Sequence, residues 1–267
     1  SEPMQWPSVD EFLELRRGLP VLAAVLFVAA LAVPMWEITV QAVQYPEKLL
    51  RLELYGYPRI EGDYAEMAAL NHYIGFYYPD PVLLEPNFDV HPKAIDVPEW
   101  SLGPVAFVAV ALLSVFVAVA PSVRKLKRGL TYQFVGTVGI FTVMLVDIQF
   151  RLWQAGHTLD PSAPVMGVDG FTPPIVGSYQ VANITSYSAF GPGVGVAGAA
   201  IALLAVAFYY RDTPVHLSDL PARIASRSGL GGEDGEAPAE SPKRPPEGAA
   251  QPDDHVADGG EGGDERP

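Results

Sequence analysis

The sequence predicts an all-α membrane protein in which four transmembrane helices carry an irregular extracytoplasmic cap made of two long loops. Three observations predict this class: four long apolar runs, basic residues near one set of run ends, and polar, proline-rich loops at the other. Hydrophobic residues make up 49% of the chain while its formal net charge is −14. The apolar and acidic residues must therefore occupy separate segments.

The four apolar runs each hold about 20 residues, the length that a helix needs to cross the hydrocarbon core of a bilayer at about 1.5 Å per residue. They are Leu19 to Val40, Pro104 to Pro121, Leu130 to Phe150 and Ala189 to Tyr210. Residues 19–210 therefore form the predicted transmembrane domain, with outer loops at residues 41–102 and 151–188.

The first run also resembles a signal peptide with an A-x-A cleavage site at Ala30 to Ala32. Cleavage there would leave three spans. We favour a retained helix, because the apolar stretch continues through Trp36 before its first charge at Glu37.

Basic residues near the run ends predict the orientation. They are Arg16, Arg17, Arg124, Lys125, Lys127 and Arg128. Because such residues stay on the cytoplasmic side of a cell membrane, residues 1–18 and the link between the second and third runs should be inside. Three tryptophans at the opposite ends, Trp36, Trp100 and Trp153, agree with this orientation, since indole rings favour the headgroup layer.

The segment 211–267 is predicted to be a disordered, acidic cytoplasmic tail. It contains 13 acidic and 6 basic residues, a net charge of −7, and few large apolar side chains. Such a segment cannot bury enough surface to offset its ordering entropy. The acidic balance also argues against nucleic acid as a partner.

Cysteine is absent from the chain, which excludes disulfides, iron-sulfur clusters and covalently attached haem. A transmembrane haem is not expected either, because no histidine lies inside the four runs. Any metal site would have to use histidine, methionine and carboxylate side chains.

The first outer loop contains one predicted helix, between a capping Asp63 and a terminating Gly75. The helix places Met67 and His72 on adjacent turns. In the second outer loop, Asp147 and Arg151 are four residues apart and can pair near the membrane interface.

Three outer side chains, His72, His157 and Met67, are the candidate metal ligands, and copper is the metal that imidazole and thioether donors suit. His91, Met166 and Asp160 are further donors in the same loops. Their spacing is not that of a local site, so a site requires the two loops to meet. In the structural alternative, His72 and His157 donate hydrogen bonds to the backbone or to Asp160 and lock the loops.

Three segments carry a family resemblance: LNHYIGFYYPDP at 70–81, GHTLDPSAPV at 156–165 and FTPPIVGSYQVANITSYSAFGPGVG at 171–195. In this order they resemble an uncharacterised family of integral membrane proteins encoded in nitrous oxide reductase gene clusters. Phe76 stands where that family has methionine, which removes one possible thioether ligand. The resemblance covers the two outer loops and their flanking spans.

This resemblance implies an accessory membrane protein that assists the maturation or operation of an extracytoplasmic, copper-dependent nitrous oxide reductase. It would act by docking or metal handling rather than by turnover, with the bilayer and the reductase or its maturation proteins as partners. One alternative is a structural or quinol-interacting subunit of a respiratory complex. Another is a small transporter, for which the third run offers polar residues: Thr131, Gln133, Thr137, Thr142, Asp147 and Gln149.

Overall fold

The computed structural model describes residues 8–81, 94–165 and 167–219. Its helices are α1 (Val9–Phe12), α2 (Leu15–Ala30), α3 (Tyr64–Ile74), α4 (Gly103–Ala118), α5 (Val123–His157) and α6 (Pro192–Tyr209). Short 3₁₀ turns occupy Pro98–Leu102 and Leu217–Asp219. The expected donors His91 and Met166, and the tail from residue 220 onward, lie outside the described residues.

Three helical segments in the described ranges are long and apolar enough to cross a membrane: Pro98–Ala118, Val123–His157 and Pro192–Tyr209. They correspond to the second, third and fourth predicted spans. Helix α5 extends well past its predicted ends and has 35 residues, which makes it about 52 Å long. Its last turns therefore belong to the segment that was expected to be the second outer loop.

Helix α2 is shorter than the first predicted span. It has 16 residues, and the following Trp36–Ala42 segment is a β-strand. The sequence analysis was therefore wrong to assign Trp36 to Val40 to a helix. Helix α2 nevertheless packs along both α4 and α6.

Together α2, α4, α5 and α6 form a bundle in which α2 and α5 each contact α4 and α6. Phe27, at the centre of its core, is fully buried. The Phe27 ring lies 5.7 Å from Phe141 and 6.4 Å from Phe107, centroid to centroid. Small residues such as Ala197 and Ala200 allow α6 to approach this ring cluster closely.

Both ends of the bundle can be identified from contacts between chain segments. The guanidinium of Arg17 donates to the carbonyls of Ala118 (2.7 Å) and Ala120 (3.0 Å), so α2 begins where α4 ends. Lys127 near the start of α5 pairs with Asp212 just after α6, at 3.0 Å. We call this the basic end of the bundle. The positive charge of Arg17 also offsets the negative dipole at the C-terminus of α4.

The segment after α6, which was assigned to the tail, is attached to this end. Val215 is fully buried, and its carbonyl accepts a hydrogen bond from the Leu15 amide at 2.9 Å. His216 forms an isolated antiparallel bridge with Glu14.

The cap at the opposite end is not irregular as predicted, because it contains a five-stranded antiparallel sheet. Its strands are β1 (Trp36–Ala42), β2 (Leu50–Leu54), β3 (Ile60–Gly62), β4 (Gly177–Val181) and β5 (Ile184–Phe190). Their spatial order is β3-β2-β1-β5-β4. Strands from both predicted loops are thus neighbours, with Trp36 opposite Phe190 and Ala42 opposite Ile184.

One face of this sheet packs against α3. Val40, Leu50 and Leu52 point into this core together with Met67 and Leu70 of the helix. The other face carries a row of three glutamates, Glu37, Glu53 and Glu61, paired across three strands. Arginines compensate the like charges of this row, which would otherwise repel one another. Arg51 pairs with Glu37 (2.8 Å) and Glu53 (3.2 Å), and Arg59 with Glu61.

Helix α3 is confirmed between the predicted start and stop. Gly75 ends it in a left-handed conformation with φ of 79°. The predicted side-chain cap is absent, because the Asp63 carboxylate accepts instead from Lys48 Nζ (2.6 Å) and from the Arg51 amide (3.0 Å). Asp63 therefore ties α3 to the sheet, and the Lys48 ammonium is the main cause that lowers the pKa of this carboxyl.

Candidate functional site

The end of α3 lies against the loop that follows α5. The Asp160 amide donates to the Gly75 carbonyl at 2.9 Å, and the Val165 amide donates to the Tyr73 carbonyl at 3.0 Å. A Cβ on Gly75 would lie 2.8 Å from both the amide nitrogen and the carbonyl oxygen of Asp160. A side chain at Gly75 would thus separate the two segments.

The Asp160 carboxylate fixes the same contact. One oxygen accepts a hydrogen bond from the Tyr77 hydroxyl at 2.7 Å. The other accepts from the Ser162 amide (2.9 Å) and the Ser162 hydroxyl (2.7 Å), which closes a local turn. Both carboxylate oxygens therefore have protein partners. Burial, followed by the hydrogen bond to Asp160, raises the pKa of Tyr77, so this phenol stays protonated at neutral pH.

The chain from residue 171 joins this contact from the other side. The Phe171 amide donates to the Gly156 carbonyl at 3.1 Å, and the Phe171 ring lies 6.0 Å from that of Phe76. We define the cap junction as Gly75, Tyr77, Gly156, Asp160 and Phe171. All three segments that carry the family resemblance meet there.

His157 is the last residue of α5 and lies at the edge of the cap junction. Its Nδ1 is 2.8 Å from the Trp153 carbonyl, so the ring donates this hydrogen bond, as the structural alternative expects. The ring stacks on the Trp153 indole at 4.9 Å. With Nδ1 as the donor, the neutral ring carries its free lone pair on Nε2. His157 and Asp160 both line an open cavity of about 290 Å³.

The other two candidate ligands are in different environments. His72 is exposed in the last turn of α3, whereas Met67 is 4% exposed and belongs to the core between α3 and the sheet. Within residues 8–81, 94–165 and 167–219, no group of three or more histidine and carboxylate side chains is arranged to hold a metal ion. The thioether of Met67 is occupied by packing.

Buried tyrosines lie beside the cap junction and were not singled out from the sequence. The rings of Tyr64 and Tyr78 are 4.8 Å apart, and burial raises the pKa of Tyr78 well above its ordinary value. Burial also raises the pKa of Tyr179. These phenols remain neutral at physiological pH and act as packing groups.

The predicted Asp147–Arg151 pair is part of a larger cluster. Arg151 forms an ion pair with Glu99, just before α4, and donates to the Gln154 side chain at 2.9 Å. Asp147 interacts electrostatically with both Glu99 and Arg151. Glu99 was missed from the sequence, although it is an isolated acid at the end of an apolar run. The cluster joins α4 to α5 at the cap end.

Two of the three tryptophans attach the helices to the cap. The Trp36 indole donates to the Ile175 carbonyl at 2.7 Å, and the Trp100 indole donates to the Tyr55 carbonyl at 3.0 Å. Trp153 is the most exposed of the three, with its ring stacked between Phe150 and His157.

The polar residues proposed for transport do not form one pathway. Gln133 and Thr137 are buried, and the Gln133 amide donates to Ser114 Oγ at 2.7 Å and to Thr137 Oγ1 at 3.3 Å. The Thr131 and Thr142 hydroxyls bond to backbone carbonyls of their own helix. Gln149 donates to the Pro173 carbonyl at 3.3 Å in the cap.

Comparisons of the whole chain with protein-family models, with curated proteins and with solved structures give no match.

Proposed function

We propose that the protein is an accessory membrane protein that docks, through its cap, onto an extracytoplasmic copper-dependent nitrous oxide reductase or its maturation proteins. The single observation that carries the proposal is the convergence of the three family-like segments, 70–81, 156–165 and 171–195, at the cap junction. Segments far apart in the chain make the same small surface, and a surface is what a docking role requires.

Docking is favoured over metal handling by the state of the candidate donors. Met67 is buried in the core, and both Asp160 oxygens already accept hydrogen bonds. Only the imidazoles of His72 and His157 remain exposed. Two such imidazoles are fewer donors than a stable copper site uses.

We further propose that α2 is a fourth span and that the basic end faces the cytoplasm of the cell membrane. Helix α2 has 16 residues, about 24 Å, and runs beside α4 and α6 between the same two ends of the bundle. The arginines and lysines of the basic end support this orientation. It places the cap outside, on the side of the proposed partner.

The docking role is tested with a matched pair of substitutions in the full chain. Val165→Asp places a carboxylate on the exposed edge of the cap junction, and Val43→Asp places the same charge on the exposed β1–β2 turn. In cells deleted for the gene, we expect the wild type and the Val43 variant to restore nitrous oxide reduction. The Val165 variant should fail, because an unpaired charge opposes docking at that surface.

Cells are assayed under copper limitation and copper sufficiency, with oxygen respiration as the control. Full nitrous oxide reduction in the deletion strain under both conditions would contradict the proposal. Copper analysis of purified wild type, His72→Ala and His157→Ala separates the two modes of action. Docking predicts equal copper in all three proteins, whereas metal handling predicts loss in the variants.

A further inference from the structure

Helix α5 presents one continuous exposed face along its whole length. This face changes from basic to apolar to aromatic from the start of the helix to its end. Residues along it include Arg124, Arg128, Tyr132, Val143, Val146 and Trp153. Of the three candidate spans, α5 is the least buried within the protein. Its apolar surface therefore needs a cover other than the rest of the bundle.

The dimensions of this face match a lipid bilayer. Tyr132 is 74% exposed and Trp153 is 47% exposed. The two residues lie about 32 Å apart along the helix, close to the thickness of a hydrocarbon core of about 30 Å. Between them, Val135, Val143 and Val146 are exposed and apolar. Aromatic rings at both borders with aliphatic side chains between them are typical of a lipid-facing helix.

The cations beyond Tyr132 are arranged against the preferences of an isolated helix. Arg124, Lys125 and Arg128 are exposed in the first turns of α5, where the helix dipole disfavours positive charge. Arg124 and Arg128 are four residues apart, so their like charges repel on one face. In the part of the chain that the structure describes, none of the three forms an ion pair.

Neighbouring cations at the same end are arranged differently. Lys127 pairs with Asp212 at 3.0 Å, and Arg16 pairs with Glu14 at 2.5 Å. Arg17 binds the carbonyls at the end of α4. Arg124, Lys125 and Arg128 are thus three cations that the fold leaves facing outward, one to two helical turns beyond the aromatic border.

We propose that Arg124, Lys125 and Arg128 form a binding site for the phosphate headgroups of anionic phospholipids, whose acyl chains lie along the apolar face of α5. The level of the site fits this ligand, because headgroup phosphates lie just outside the hydrocarbon border that Tyr132 marks. The negative headgroups also relieve the repulsion among the three cations. The site is independent of any partner that the cap binds.

The test measures lipid binding to the full chain in neutral detergent by native mass spectrometry. The probes are phosphatidylglycerol, phosphatidylcholine and inorganic phosphate. The wild type should bind phosphatidylglycerol in preference to phosphatidylcholine, and inorganic phosphate at matched concentration should not displace it. Each basic side chain should contribute about fivefold to the affinity, so Arg124→Gln, Lys125→Gln and Arg128→Gln together should weaken it about 100-fold.

The matched control is Lys127→Gln, which removes the same charge from the same helix at a side chain that already has a partner. It should change phosphatidylglycerol affinity by less than about threefold. If the triple variant fails to fold, Arg128→Gln alone should still show the loss of about fivefold. Equal binding of the two lipids, displacement by inorganic phosphate, or a triple variant that keeps the preference would each overturn the proposal.

Discussion

The helical bundle and the cap differ in the solvent that surrounds them and in how far apart in sequence their contacts lie. Helices of the bundle are continuous apolar segments joined to the next element by short links. The central pair of strands in the cap, β1 and β5, joins residue 36 to residue 190. Each helix therefore satisfies its own backbone, whereas each strand depends on a distant one.

This difference gives hydrophobic burial a different value in the two regions. In the cap, a buried leucine is removed from water, so its loss has a transfer cost and a cavity cost. In a bundle surrounded by lipid, the transfer term is nearly absent and only packing is lost. Equal substitutions in the two regions should therefore have unequal effects.

The largest expected effect is that of Leu52→Ala in the core of the cap. Leu52 is fully buried, and its truncation should lower the free energy of unfolding of the cap by about 2 to 5 kcal/mol. Leu204→Ala in α6, at 1% exposure, should cost about 2 kcal/mol less. Hydrogen exchange of each region, in protein reconstituted in lipid, measures both. Leu49→Ala, in the exposed turn before β2, is the control and should be nearly silent.

A somewhat smaller effect is expected at the contact between the two regions. A Cβ on Gly156 would lie 1.8 Å from the Phe171 carbonyl oxygen, so Gly156→Ala should destabilise the cap junction by about 1 to 3 kcal/mol. Gly139→Ala on the same helix meets nothing within 4 Å and should be neutral or slightly stabilising. Faster proteolysis of the cap in the Gly156 variant only is the expected readout. Equal behaviour of both variants would show that the cap does not depend on this close approach.

A third substitution examines polar contacts inside the bundle. Gln133→Leu removes the amide that bonds Ser114 and Thr137, and we expect a loss of stability of less than about 1 kcal/mol. The Ser114 hydroxyl keeps its bond to the Val110 carbonyl, which limits the cost. Thermal unfolding in detergent measures it. Solute flux in vesicles that the wild type supports and this variant abolishes would favour the transporter alternative.

The smallest effect is a dependence of cap stability on acid. Hydrogen bonds from Tyr55 and Arg59 lower the pKa of Glu61, and Lys48 lowers that of Asp63. The folded cap therefore holds these protons less tightly than the unfolded chain. Their contribution is fully present above about pH 5 and is lost as the pH falls below about 4. Acid titration followed by tyrosine fluorescence should show a shallower loss for Lys48→Gln. An identical titration in that variant would contradict the assignment.

Part of the cap could have been predicted from the sequence. From Trp36 to Ala42, apolar residues alternate with Glu37, Thr39 and Gln41, which is the pattern of a half-buried strand. The continuous hydrophobicity up to Val40 favoured a helix, so this period of two was overlooked. Helix α3 was predicted correctly, because Gly75 is a local stop signal.

The candidate site divides in the same way. His157 bonds to the backbone of its own helix, four residues earlier, which lies within the reach of sequence reasoning. The contact between Gly75 and Asp160 does not, because no local pattern indicates which distant segment packs against the end of a short helix. Met67 illustrates the consequence, since a spacing compatible with a metal ligand belongs in the structure to a core residue.

By itself, the sequence determined the three long apolar helices, the concentration of basic residues at one end of them, and the start and stop of α3. These features follow from composition and from interactions within a few residues. Tertiary structure alone decided that two proline-rich loops become one sheet, that α5 reaches into the cap, and that Asp160 binds Tyr77. The reason is physical: strand pairing and loop docking depend on which distant backbone groups find partners, and that choice is made by the whole chain as it folds.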